Sequence, residues 1–105
     1  MRNKKVYQTR AEVTKALSHP LRLQIIDLLD EKEYCVCELT EILDASQSAI
    51  SKHLGVLKKA GIISSRKEGL NNYYFIEVPC IPCFFDCLDE VLENKIKVMQ
   101  EELLE

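Results

Sequence analysis

A chain of 105 residues, 47% hydrophobic and 30% charged, is sized for one small domain over residues 1–105, with a core that a second copy would usefully extend. Nowhere do about 18 apolar residues follow one another, and the opening MRNKKVYQTR has no apolar run behind its charges. These features exclude a membrane span and a secretory signal and predict a cytoplasmic protein. The net charge of −3 conceals a segregation along the chain. Residues 1–16 carry five bases and one acid, 17–45 two and seven, 46–68 five and one, and 69–105 two and eight. Two basic stretches on an acidic chain can still meet a phosphate backbone, because only the face presented matters.

In chain order, Val13, Ala16 and Leu17 predict a first helix ending near SHP, where Ser18 is placed to cap and Pro20 to open the next helix. Leu21, Ile25, Leu28 and Leu29 repeat at helical spacing through a second helix. CVCELTEIL puts Val36, Leu39, Ile42 and Leu43 on one face of a short third helix, and DAS interrupts it. A fourth helix then follows, with Ser46 as its N-cap and Gly61 just beyond its end. On that helix Ile50, Leu54 and Leu57 share one side, while Ser48, Lys52, Gly55 and Lys59, with Ser51 beside them, fall opposite. The outer face is polar, cationic and free of acids.

After Gly61 the period changes, and IISSRKEGLNNYYFIEV reads as a β-hairpin whose tip holds Gly69 and two asparagines, with Arg66 and Lys67 on its first strand. Beyond Pro79 and Pro82, the residues Phe84, Leu88, Val91, Leu92, Ile96 and Met99 form the apolar stripe of a long last helix, more than one small core can use. The order helix, helix, helix, helix, strand, strand, helix predicts a mainly α winged helix-turn-helix. Its reader pair spans about residues 36–60, its wing about 62–78, and its sensor and dimer helix about 80–103.

ALSHPLRLQIIDLL, CVCELTEIL, SQSAISKHLGVLKKAGII and SSRKEGLNNYYFI together resemble the arsenic repressor family of metal- and redox-sensing regulators, over roughly residues 10–95. The resemblance implies a homodimer joined through its first and last helices, bound to double-stranded operator DNA when empty and released by an inducer. It places Gln47, Ser48, Ser51 and Lys52 at the groove face with His53 near it. Lys58 and Lys59, and Arg66, Lys67 and Asn72 on the wing, would approach phosphates. The helical wheel agrees for Ser48, Ser51, Lys52 and Lys59. His53 projects about 60° from the apolar centre, so packing and phosphate donation both stay open.

Five cysteines fall in two clusters, CVC at Cys35 and Cys37 and PCIPCFFDC at Cys80, Cys83 and Cys87. In a reducing cytosol an odd number of clustered thiols points to metal or redox chemistry rather than to disulfides. Zinc and nickel sensors of the resembled family use histidines and carboxylates on the last helix, whereas this last helix has no histidine. Thiolate-only sites favour soft ions: arsenite, antimonite, cadmium, lead or mercury. CVCEL resembles the family's metal-binding box, but Thr40 stands where the arsenite version has its third cysteine. A third sulfur would come from Cys80, Cys83 or Cys87, at wheel angles of about 0°, 300° and 340°, and these three could also bind alone. Small buried hydrophobes are the structural alternative.

The reading is therefore a repressor with no permanent cofactor, released by a soft metalloid or metal, arsenite or antimonite first. The alternative is a thiol switch answering oxidant or reactive sulfur. An enzyme is not expected, because both histidines, His19 and His53, lie in the DNA-reading half, away from any partner a cysteine nucleophile would need.

Overall fold

The structure, a computed structural model, describes residues 3–104. Helix α1 runs Lys4–Leu17, and the side chain of Asn3 caps it by accepting from the Val6 N–H at 3.2 Å. Helix α2 is Pro20–Glu31, with Pro20 in its first turn. The cap differs from the sequence expectation: His19, not Ser18, takes the position, its Nδ1 accepting from the Leu21 N–H at 3.1 Å. The cause is Pro20, which pushes the residue before it into extended backbone, the conformation a cap requires. Ser18 instead closes α1, donating its N–H to the Lys15 carbonyl at 3.0 Å.

A strand that sequence periodicity did not foresee, β1 at Tyr34–Cys35, precedes helix α3 at Val36–Leu43. Helix α3 ends where Asp44 turns left-handed at φ 49°. Helix α4, Gln47–Lys59, is followed by β2 at Ile63–Glu68, β3 at Asn71–Ile76 and helix α5 at Cys80–Leu104. The wing is thus a three-stranded antiparallel sheet in the order β1-β3-β2, with Tyr34 opposite Tyr74 and Cys35 opposite Tyr73. A two-stranded hairpin is marginal alone, so the added strand and the helices beneath it give the wing its support.

The core lies where α2, α3 and α4 meet the base of the sheet. Ile25 and Ile26 of α2, Leu39 of α3, Ile50, Leu54 and Leu57 of α4, and Ile62 and Ile63 at the sheet base are its fully buried members. Each such side chain contributes roughly 1.5–3 kcal/mol through loss of water contact. Helix α5 adds Pro82 and Phe85 to this side of the molecule and then leaves it. Its later turns expose Leu88, Val91, Leu92, Ile96 and Met99, and Tyr7 of α1 is exposed as well.

Candidate DNA-reading surface and thiol sites

Helix α4 is fixed at both ends. Ser46 Oγ accepts from the Ala49 N–H at 3.1 Å. At the other end Gly61, at φ 82°, donates to the Lys58 carbonyl at 3.0 Å, and Ile62 donates to the Leu57 carbonyl at 3.1 Å. Those two bonds form a Schellman motif, which closes the helix on a left-handed glycine. Ile50, Leu54 and Leu57 point into the core and so set the rotation of α4. Gln47, Ser48, Ser51, Lys52, Lys58 and Lys59 are consequently turned outward and exposed.

His53 is placed differently from these. It is half-buried, its ring centroid lies 4.3 Å from that of His19 with the planes tilted by 42°, and its Nδ1 is buried. Burial, the neighbouring His19 and the cations of Arg22 and Lys52 hold His53 below the ordinary histidine range. The ring thus packs between α4 and the start of α2.

On the wing, Lys67 and Asn72 are exposed and directly paired across the strands. Lys58 reaches over from α4 and donates to Ser65 Oγ at 2.8 Å. Arg66 is engaged elsewhere: Nε donates to Glu33 at 2.6 Å and Nη1 to Glu68 at 2.9 Å, and the guanidinium lies 5.2 Å from the centre of the Tyr73 ring. Sequence reasoning missed Glu33. The signal was faint, an acid two residues before Cys35 in EYCVC, inside a stretch that is acidic throughout.

The thiols divide into one buried and four exposed. Cys35 is buried at the N-cap of α3, its backbone N–H donating to Glu38 Oε1 at 3.0 Å. That hydrogen bond, with a second contribution from the Cys35 thiol, holds the Glu38 carboxyl below its usual range. Cys37 is exposed, so the two sulfurs of the CVC box occupy different environments.

Cys80, Cys83 and Cys87 are all exposed on the first turns of α5, and Cys83 Sγ lies 3.7 Å from the Pro79 carbonyl. Among the described residues no three histidine, cysteine or carboxylate side chains are grouped to hold a metal ion. The convergence expected of Cys80, Cys83 and Cys87 is therefore not formed. A helix rises about 1.5 Å per residue, which separates positions 80 and 87 by roughly 10 Å along the axis. One ion some 2.3 Å from each sulfur needs them far closer than that. Neighbours along the row, Cys80 with Cys83 or Cys83 with Cys87, remain within reach as pairs.

A helix-turn-helix with a polar, cationic reader face and an adjoining basic wing is the architecture of a winged-helix transcriptional regulator. Comparison with known proteins makes the assignment specific. The family model for bacterial regulatory proteins of the arsR family matches residues 19–65. An HTH-type transcriptional regulator of Methanocaldococcus jannaschii is 48% identical over 71 residues, covering 67% of this chain and 80% of that protein. The arsenic resistance transcriptional regulator ArsR1 of Pseudomonas putida is 40% identical over 92 residues, covering 87% and 69%. The cadmium resistance transcriptional regulatory protein CadC of Listeria innocua is 47% identical over 64 residues, covering 60% and 54%.

Among solved structures, M. tuberculosis Rv0081 superposes with a TM-score of 0.79 at 32% identity, covering 92% of this chain and 98% of that one. A homodimeric winged helix-turn-helix DNA-binding domain from Mycobacterium bovis gives 0.78 at 28% identity, covering 92% of both. The chain belongs to the arsR family of bacterial transcriptional regulators. It is a winged helix-turn-helix DNA-binding repressor by family and not an enzyme. No helix among the described residues is long and apolar enough to cross a membrane.

Proposed function

We propose that the protein is a dimeric repressor that holds operator DNA with Gln47, Ser48, Ser51 and Lys52 in the major groove and Lys58, Lys59 and Lys67 along the backbone. A soft metalloid or metal captured by its thiolates releases it, with arsenite or antimonite as the first expectation. The observation that carries the inducer reading is the exposed row of Cys80, Cys83 and Cys87 at the start of the helix whose later turns leave their apolar stripe uncovered. A ligand there acts on the element expected to join two copies, and so on the relative placement of their reader helices. Relatives named for arsenic and for cadmium resistance support the same chemistry. No triad of sulfurs is preassembled among the described residues, so the ion is expected to join a pair on α5 to Cys35, Cys37 or a thiol of the second copy.

The test is a DNA-binding titration on a duplex that the protein itself selects from a randomised pool. Arsenite, antimonite, cadmium, zinc and a persulfide donor are added in turn to wild type, Cys83→Ser and Cys35→Ser. Release by arsenite or cadmium, lost in Cys83→Ser, is the expected result. Release by the persulfide donor alone would transfer the protein to the thiol-switch class, and release by none of them would end the sensor reading.

A further inference from the structure

The two basic residues of the wing do not share a face. Side chains alternate along a strand, so on β2 Ser65 and Lys67 project to one side and Arg66 and Glu68 to the other. Ser65 is the residue that Lys58 of the reader helix contacts, so its side is the one adjoining α4. Directly paired residues lie on the same side, which puts Asn72 with Lys67, and Tyr73 and then Cys35 with Arg66. The row Arg66, Tyr73, Cys35 therefore crosses all three strands on the face away from the reader contact. At its outer end the guanidinium stacks over Tyr73 and is held by Glu33, two residues before Cys35, and by Glu68.

We propose that Lys67 is the wing's phosphate contact, and that Arg66 with Glu33 is a positioning pair that ties β2, at one edge of the wing sheet, to the segment leading into Cys35 at the other edge. One guanidinium between two carboxylates leaves a local excess of one negative charge, which repels a phosphate instead of attracting it. An exposed pair of this kind adds little to stability. Its position gives it a use, because Glu33 belongs to the segment leading into the buried thiol while Arg66 belongs to β2, at the opposite edge of the sheet. This depends on the chain's DNA binding but not on the identity of any inducer.

The experiment pairs two readouts on wild type, Lys67→Ala, Arg66→Ala, Arg66→Lys and Glu33→Gln, each confirmed as folded by circular dichroism. The first is the salt dependence of affinity for the duplex selected from a randomised pool. Each phosphate contact removed lowers the log–log slope by about 0.9. Lys67→Ala is expected to lower the slope by that step per bound protomer, and Arg66→Ala to leave it unchanged. The second is the rate at which iodoacetamide alkylates Cys35, read by peptide mass spectrometry. Glu33→Gln and Arg66→Ala are expected to raise it several-fold, with Arg66→Lys between them and wild type and Lys67→Ala at the wild-type rate.

A lowered slope in Arg66→Ala would overturn the assignment of the phosphate contact. An unchanged alkylation rate in both Arg66→Ala and Glu33→Gln would overturn the tie. Neither readout uses a thiol inducer, so a failure of arsenite or cadmium to release DNA leaves the phosphate contact and the tie unaffected.

Discussion

The imidazole rings of His19 and His53 lie 4.3 Å apart, centre to centre, one capping α2 and the other projecting from the reader helix α4. The contact fastens the start of α2 to the middle of α4, so the reader's placement is sensitive to the charge on His53.

That sensitivity has a definite sign. His53 is held below the ordinary histidine value by burial first, then by His19, Arg22 and Lys52, so near that value the folded state binds fewer protons than the unfolded chain. Stability is unpenalised above the ordinary histidine pKa of about 6.5 and falls as pH drops below it. Asp27, raised by burial and by Asp89, acts in the opposite sense but in the carboxylate range. The urea midpoint should therefore be lower near about pH 5.5 than near about pH 7.5, with a smaller difference in His53→Gln. Identical differences in the two proteins would rule His53 out as the source.

The reader helix depends on its two ends. Ser46→Ala removes the acceptor for the Ala49 N–H and should cost about 1 kcal/mol. Gly61→Ala forces a Cβ into the left-handed region at φ 82°, and although the surrounding space is open it should cost about 1–2 kcal/mol. Urea denaturation measures both, and a value near zero for Gly61→Ala would mean that the helix terminus relaxes at no cost.

Groove and backbone contacts should separate by substitution. Ser51→Ala is expected to reduce preference for the selected duplex over a scrambled one, by up to about 1–3 kcal/mol if the hydroxyl reads a base edge. Lys59→Ala should weaken both duplexes alike and reduce the salt slope. Anisotropy titrations against the two duplexes decide the matter, and equal loss on both for Ser51→Ala would remove it from base reading.

The uncovered stripe of α5 predicts its own partner. Ile96→Glu places a charge in the middle of the exposed apolar row and should convert a dimer to monomers in sedimentation velocity while leaving the core intact. An unchanged sedimentation coefficient would place the contact between copies elsewhere.

Helix α4 was legible from sequence because apolar period, a capping residue and a glycine stop agree on the same boundaries, and α2 because its apolar period begins at Pro20. The hairpin was legible from its change of period and from Gly69, at φ 63°, whereas Asn71 and Asn72, expected at its tip, are the first residues of β3, paired with Glu68 and Lys67. Strand β1 was not, since two residues carry no period and its pairing with Tyr73 and Tyr74 is a long-range event. Ser18 was favoured as a cap on residue type, and Pro20 moved that role to His19 through the backbone. The direction of His53 was ambiguous on a wheel, and its contact with His19 joins residues too far apart in sequence for a wheel to show. The thiols were legible as two clusters, but the axial rise between positions 80 and 87 that keeps them apart is a property of the helix, not of the spelling.

Helix α5 closes its own chain's core with Pro82 and Phe85 and leaves the following turns to be covered by something else. With a second copy as that cover, the spacing of two readers becomes a matter of mass action. Abundance is then an input in its own right. Diluted below the level at which copies pair, intact and unliganded protein would lose its grip on an operator as surely as induced protein does.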